Sequence, residues 1–297
     1  MFIASHRVPP RDPLRPLLGA ATCALLYWVT FNLLIPPVRF IGGPLVAVTV
    51  TTLIAGMLAS ALAMAIFESR KLLDLGLHGN PSAAHNLALG TALGAGGALL
   101  AVGPPILIGF AHFAPVPDAE ISLGAVLFTP ILLFCGAAGE EIAFRGFAQQ
   151  YLMRGYGAWA AILGMSALFG LLHAANPGAT PLSVINTTGF GILFGAALLR
   201  SHDLWLPIGM HFGWNATLPF LGVGLSGLTI RVTRYELVWQ PGGHFGQLWS
   251  GGAYGPEASL LASGVLILLF AVVWKMPVRK SWAYLLDGGP EESPPAL

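Results

Sequence analysis

The chain has 297 residues, of which 55% are hydrophobic and only 9% charged, against roughly 25% charged in an average soluble domain, and this balance puts it in the membrane class. Fourteen basic and thirteen acidic residues leave a net charge of +1, so there is no basic field of the kind that holds nucleic acid. Its two cysteines, Cys23 and Cys135, fall inside apolar runs, where a thiol behaves as a small hydrophobe, and no disulfide framework is implied.

Eight stretches reach roughly the 17 to 25 residues with which a helix crosses a hydrocarbon core: 17–35, 44–67, 86–111, 121–145, 157–174, 181–199, 204–222 and 258–275. The first follows Arg7, Arg11 and Arg15 and, at about 19 apolar residues, exceeds a signal-peptide core. It reads as a retained membrane helix. The flanks of the later stretches carry Arg70 and Lys71, Arg154, Arg200, and Lys275, Arg279 and Lys280, all on the side of the N-terminus if every stretch crosses. Positive residues collect on the cytoplasmic side, which predicts both termini there, although Arg39, Arg231 and Arg234 fall opposite. The expected fold is all-α, a polytopic bundle of about eight spans. It forms one domain over 1–281, with a motif-bearing core at 121–222 and a polar, proline-rich tail at 282–297 expected to be disordered. Segment 223–257, with Trp239, Trp249 and Tyr254 among glycines, reads either as an interfacial cap or as a plain connection.

Within the apolar runs a few polar residues stand out. "GEEIAFRGF" at 139–147 carries Glu140, Glu141 and Arg145, and of the eight histidines only His173 and His211 lie well inside apolar stretches. A charge at a membrane helix centre costs roughly 2.5 to 3.5 kcal/mol on insertion scales, so such residues are functional candidates. Glu141 and Arg145 are one turn apart and share a face, whereas Glu140 is rotated by about 100°. An ion pair between the first two lowers the burial cost of both and leaves Glu140 as an uncompensated carboxylate suited to acid–base work. Phe169 shares a face with His173, and His211 with Asn215, whose donors could together form an oxyanion clamp. On straight helices rising about 1.5 Å per residue these groups sit at different depths, so tilt or a break at Pro130 or Pro207 has to close roughly 10 Å.

The three patterns together resemble the CPBP family of intramembrane endopeptidases, which includes CAAX-processing prenyl-protein proteases and bacteriocin-processing or self-immunity proteins. EExxxR is matched by Glu140, Glu141 and Arg145, FxxxH by Phe169 and His173, and HxxxN by His211 and Asn215. The resemblance implies peptide hydrolysis within the membrane, with Glu140 and His173 activating water, His211 and Asn215 stabilising the oxyanion, and Glu141, Arg145 and Phe169 supporting the site. Cofactor use stays open: none is needed by a glutamate mechanism, while Glu140, His173 and His211 offer three ligands to a possible zinc ion. The metal-free version is favoured, because a ligated glutamate cannot also be the free base. The implied partners are the lipid bilayer and a membrane-associated peptide or protein, and the high Gly, Ala and Pro content points to a bacterial plasma membrane as the location.

Other membrane proteases find little support. HExxH is absent, and Ser166 in "GMSA" reads as a packing residue. Two non-proteolytic functions compete: a binding or bacteriocin self-immunity protein using the same pocket, and a transporter with Glu140 as proton relay, against which the lack of an evident two-half repeat counts.

Overall fold

The computed structural model describes residues 13–240 and 243–288. Arg7, Arg11, His6 and the tail from 289 onward lie outside the described residues, as does the side chain of His244. Helix α1, Arg15–Glu68, covers the first two apolar stretches, and its helical backbone is broken at Gly43 (φ 78°, ψ −179°), a conformation favoured by glycine, next to Pro44. The break reverses the chain. Arg15 Nη2 donates to Phe67 O at 2.7 Å and Cys23 lies against Ser60, so the two limbs of α1 run antiparallel.

The other apolar stretches are also helical: α2 (Pro81–Leu107), α3 (Leu123–Arg145), α5 (Ala158–His173), α6 (Pro181–Ser201), α7 (Trp205–Phe220) and α9 (Leu260–Lys275). Helix α4 (Phe147–Tyr156) occupies what reads in the sequence as the start of a cytoplasmic loop, and a short helix, α8 (Gly243–Ser250), lies in the segment before α9. By length and composition α1, α2, the run Leu123–Tyr156 and α6 are apolar enough to cross a membrane, while α5 and α9 are apolar but shorter. Among the described residues the helical architecture is interrupted by one two-stranded sheet. Strand β1 (Ala111–Pro115) pairs antiparallel with β2 (Tyr235–Trp239), Ala111 opposite Trp239, which ties segment 223–257 to the end of α2.

Membrane helices approach closely where small residues line the seam, and two such seams fix the motif-bearing helices. A Cβ on Gly139 would come within 2.5 Å of Leu53 N, and one on Gly56 within 2.7 Å of Gly139 O, so α3 meets the second limb of α1 backbone to backbone just before Glu140. Cβ atoms on Gly90 and Gly94 of α2, or on Gly209 and Gly213 of α7, would likewise fall on carbonyls of the facing helix. Helix α3 runs through Pro130 unbroken and Pro207 lies in the first turn of α7. Of the two expected routes, tilt or a break at those prolines, the break does not occur; the helical backbone is interrupted at Gly146 (φ −69°, ψ −124°), where a Cβ would collide with Ile142 O.

Residues 282–288 correct the expected extent of the disordered tail. Trp282, Tyr284 and Leu285 join an apolar cluster with Met64, Phe147, Tyr151 and Leu204, and Tyr284 lies under the Arg70 guanidinium at 4.5 Å. His202 Nδ1 meets Asp287 Oδ1 at 2.6 Å, and Ala283 N–H donates to Asp287 Oδ2 at 3.0 Å. The aromatic content of "SWAYLL" opposes the disorder that the following glycine and proline suggest.

Three carboxyls outside the apolar spans give stability a pH dependence. Burial pushes Asp203, which accepts from Asn86 Nδ2 at 2.7 Å, up to about 6, and pushes Glu257 up to about 7. Burial acts the same way on Asp287, but His202, the Ala283 N–H and Lys280 outweigh it and the net shift is downward. A raised folded pKa means that the folded state holds more protons than the unfolded one between the two values, so Asp203 and Glu257 cost stability as pH rises from about 4 to 7. Asp287 contributes stability above its unfolded pKa and loses it as pH falls below about 4. Thermal melting in lipid nanodiscs should therefore give a higher Tm at pH 5 than at pH 8, and an equal or higher Tm at pH 8 would contradict these assignments.

Candidate active site

The last turns of α3 carry Glu140, Glu141 and Arg145, α5 ends on His173, and α7 carries His211 and Asn215. Arg145 Nη1 donates to Glu141 Oε1 at 3.2 Å with both side chains 0% exposed, as the one-turn spacing predicts. The same carboxylate oxygen also meets His211 Nδ1 at 2.9 Å, a contact across 70 residues that no local spacing announces. Glu141 is therefore more than the partner of Arg145: it orients an imidazole.

The guanidinium of Arg145 sits in an aromatic box. Its Cζ lies 4.4 Å from the ring centroid of Phe169, 5.5 Å from Phe194 and 5.6 Å from Phe144. Ring faces attract cations most where water is excluded. Arg145 Nε and Nη2 make no hydrogen bond among the described residues, and these rings take the place of acceptors. Phe169 also walls His173, with ring centroids 4.5 Å apart, the contact expected from FxxxH. Phe194 stacks on His211 at 5.1 Å and 16°. Neither Phe144 nor Phe194 stands out in the sequence, because on a helix apolar all round no periodicity marks the face that meets a polar group.

The imidazole tautomers follow from their partners. His173 Nδ1 lies 2.8 Å from Phe169 O, and since a carbonyl only accepts, Nδ1 carries the proton. His211 Nδ1 faces the carboxylate of Glu141, paired with Arg145, and by the same reasoning is the donor. In the neutral rings both Nε2 atoms then hold lone pairs, and Glu140 Oε2 lies 3.9 Å from each of them. That is too long for a direct hydrogen bond and fits one water about 2.8 Å from each partner. Glu140 Oε2 is buried without a hydrogen-bond partner among the described residues, although the side chain as a whole is 30% exposed, against 19% for His173 and 9% for His211. The three atoms form a convergent set of acceptors around one point.

Asn215 lies one turn beyond His211, half-buried, and its amide makes no hydrogen bond with another described residue. Ser166, fully buried, packs against α6, where a Cβ on Gly191 would meet its Cβ at 2.8 Å. His202 and His78 are occupied elsewhere, by Asp287 at 2.6 Å and by Asp74 at 3.4 Å.

Two imidazoles and a carboxylate are also the donor set of a catalytic zinc. Ligand atoms about 2.0 to 2.2 Å from a tetrahedral ion lie about 3.3 to 3.5 Å from one another, closer than the 3.9 Å of both Glu140 contacts. No group of three or more His, Cys, Asp or Glu among the described residues closes to a metal-holding arrangement. As placed, the residues do not fit the ion.

Residues 122–217 match the Rce1-like family of type II CAAX prenyl endopeptidases. All three motifs lie inside that segment. That segment, about a third of the chain, is similar to this family. No curated protein matches the chain. The match and the long apolar helices together point to an integral membrane protein, and the matched segment begins at the N-cap of α3, Ser122, and ends within α7.

Proposed function

We propose that the protein is an intramembrane endopeptidase that hydrolyses a peptide bond in a membrane-associated protein or peptide, through a glutamate-activated water and without a metal. The observation that carries the reading is the approach of Glu140 Oε2 to both Nε2 atoms at 3.9 Å while each Nδ1 is tied to an acceptor. A water held by Glu140 and His173 gives its proton to this pair as its oxygen attacks the scissile carbonyl carbon. The oxyanion accepts from Asn215 and from the Nε2–H of a protonated His211. Glu141, whose carboxylate faces the other ring nitrogen, holds that ring in orientation. As the C–N bond breaks, the proton taken from water passes to the departing amine, leaving one carboxylic acid and one amine. The sequence pattern supports eight spans, cytoplasmic termini and a bacterial plasma membrane as the setting.

The test is purified protein in nanodiscs with a lipid-anchored peptide library, read by mass spectrometry in ¹⁸O water. Wild type should release fragments with one ¹⁸O in the new carboxyl. His173→Ala should lower the rate by about 10² to 10⁴, and 1,10-phenanthroline should leave the wild-type rate unchanged. Loss of activity to the chelator with recovery on zinc addition would overturn the metal-free mechanism. Peptide captured intact by wild type and by His173→Ala alike would identify a binding or self-immunity protein instead.

A further inference from the structure

A second polar cluster lies beyond the active site, where the loop after α5, the turn 222–228 and the segment before α9 meet. Glu257 is at its centre, 4% exposed. Its Oε1 accepts from Ser226 N at 3.1 Å and from Ser226 Oγ at 3.2 Å. Its backbone carbonyl accepts from Asn186 Nδ2 of α6 at 2.8 Å. Ser226 is itself held in the left-handed region, at φ 49°, which a residue other than glycine adopts only when its surroundings fix it. A Cβ on Gly227 would fall on Pro177 O, so the turn rests directly on the loop after α5.

From this turn a short chain of hydrogen bonds leads to the active site. Asn176 Nδ2 donates to Ser226 O at 3.2 Å, and Asn176 N–H donates to the carbonyl of His173 at 3.1 Å. His173 is the last residue of α5, where no further helical turn holds it. We infer that Glu257 is a positioning residue for His173, acting through Ser226 and Asn176 to fix the end of α5 at the distance from Glu140 that one water spans. The inference rests on the role of His173 proposed above. A displacement of about 1 Å in such a group costs catalysis far more than it costs binding.

The position also makes this anchor sensitive to protonation. The side chains around Glu257 include Asn186 and Thr187 from α6, Trp214 from α7, and Ser226, all uncharged, and Tyr254, whose phenol burial holds above its usual value. Burial, with no cation among the described residues of this surround to offset it, raises the carboxyl to about 7. Its anion accepts from Ser226 more strongly than the neutral acid does, so the hold on Asn176 tightens as pH rises through about 7.

The experiment compares Glu257→Ala, Glu257→Gln, Asn176→Ala and the double variant Asn176→Ala/Glu257→Ala. Readouts are kcat and KM against pH, and the His173 signal in histidine-labelled NMR, assigned by its loss in His173→Ala. Glu257→Ala and Asn176→Ala should each lower kcat about tenfold with little change in KM, and the double variant should be no worse than either single one, because both break the same chain. Glu257→Gln keeps an acceptor for Ser226 and should retain most of the activity, while the kcat profile loses its inflection near neutrality. If Glu257→Ala fails to fold, Asn176→Ala, half-buried and outside the helices, decides. Wild-type kcat and an unmoved His173 titration in folded Asn176→Ala would overturn the inference. The NMR readout separates this failure from that of the protease reading, since a His173 signal that moves in a protein cleaving nothing would keep the positioning and remove the activity.

Discussion

Glu140→Gln should abolish detectable peptide hydrolysis while leaving the fold as stable as wild type or slightly more stable. With both rings neutral, the carboxylate faces two imidazole nitrogens that present lone pairs, so in that state three acceptors converge with no proton among them. Glutamine has the same shape but brings an NH₂ that can donate to either Nε2, which relieves that conflict and removes the base. Loss of a positioned base is worth about 10² to 10⁴ in rate, and a site organised for chemistry rather than stability gains when the chemistry is deleted. Single-turnover cleavage and a thermal melt on the same preparation check both halves. A variant that cleaves within tenfold of wild type would remove Glu140 from the mechanism.

Arg145→Met should be the most destabilising single change among the motif residues. Both members of the Glu141–Arg145 pair are fully buried, and removing one partner of such a pair typically costs about 3 to 5 kcal/mol, since a charge is left without its counterpart. The loss also empties the box made by Phe144, Phe169 and Phe194, which line two other parts of the site. Adding Glu141→Gln should restore part of the stability, because the stranded charge is gone. It should not restore activity, because His211 then lacks the carboxylate that orients its ring. Denaturant melts of the two single variants and the double one measure the coupling. Equal stability of wild type and Arg145→Met would show that the rings, and not the ion pair, hold the arginine.

Much of the site is legible in local spacing. A separation of four residues on a helix brings Glu141 to Arg145 and Phe169 to His173, and the structure contains both contacts at 3.2 Å and at 4.5 Å between ring centroids. What spacing cannot convey is which face of one helix meets which face of another. The Glu141–His211 bond spans 70 residues, and Phe194 is one of many apolar residues on a helix with no polar side. The eight apolar stretches are helical because their composition and length admit little else in lipid. The small β1–β2 pair escaped notice because its strands are five residues each and one directly follows an apolar helix. The relocation of the chain break from Pro130 to Gly146 has a similar cause. Proline is tolerated inside a membrane helix when neighbours absorb the lost hydrogen bond, whereas Gly146 is required by a collision with Ile142 O that appears only after α3 and α4 are placed.

The glycine seam between α2 and α7 has a bearing on how a peptide gets in. Where two backbones touch, there are no flexible side chains to compress or rotate, so α7 cannot roll aside without parting from α2 along its length, and His211 is correspondingly the most enclosed of the three reactive groups. Glu140 and His173 keep more open surface, and His173 is the last residue of its helix. In the proposed reaction the peptide therefore approaches from the side of Glu140 and His173, away from the fixed wall of α2 and α7.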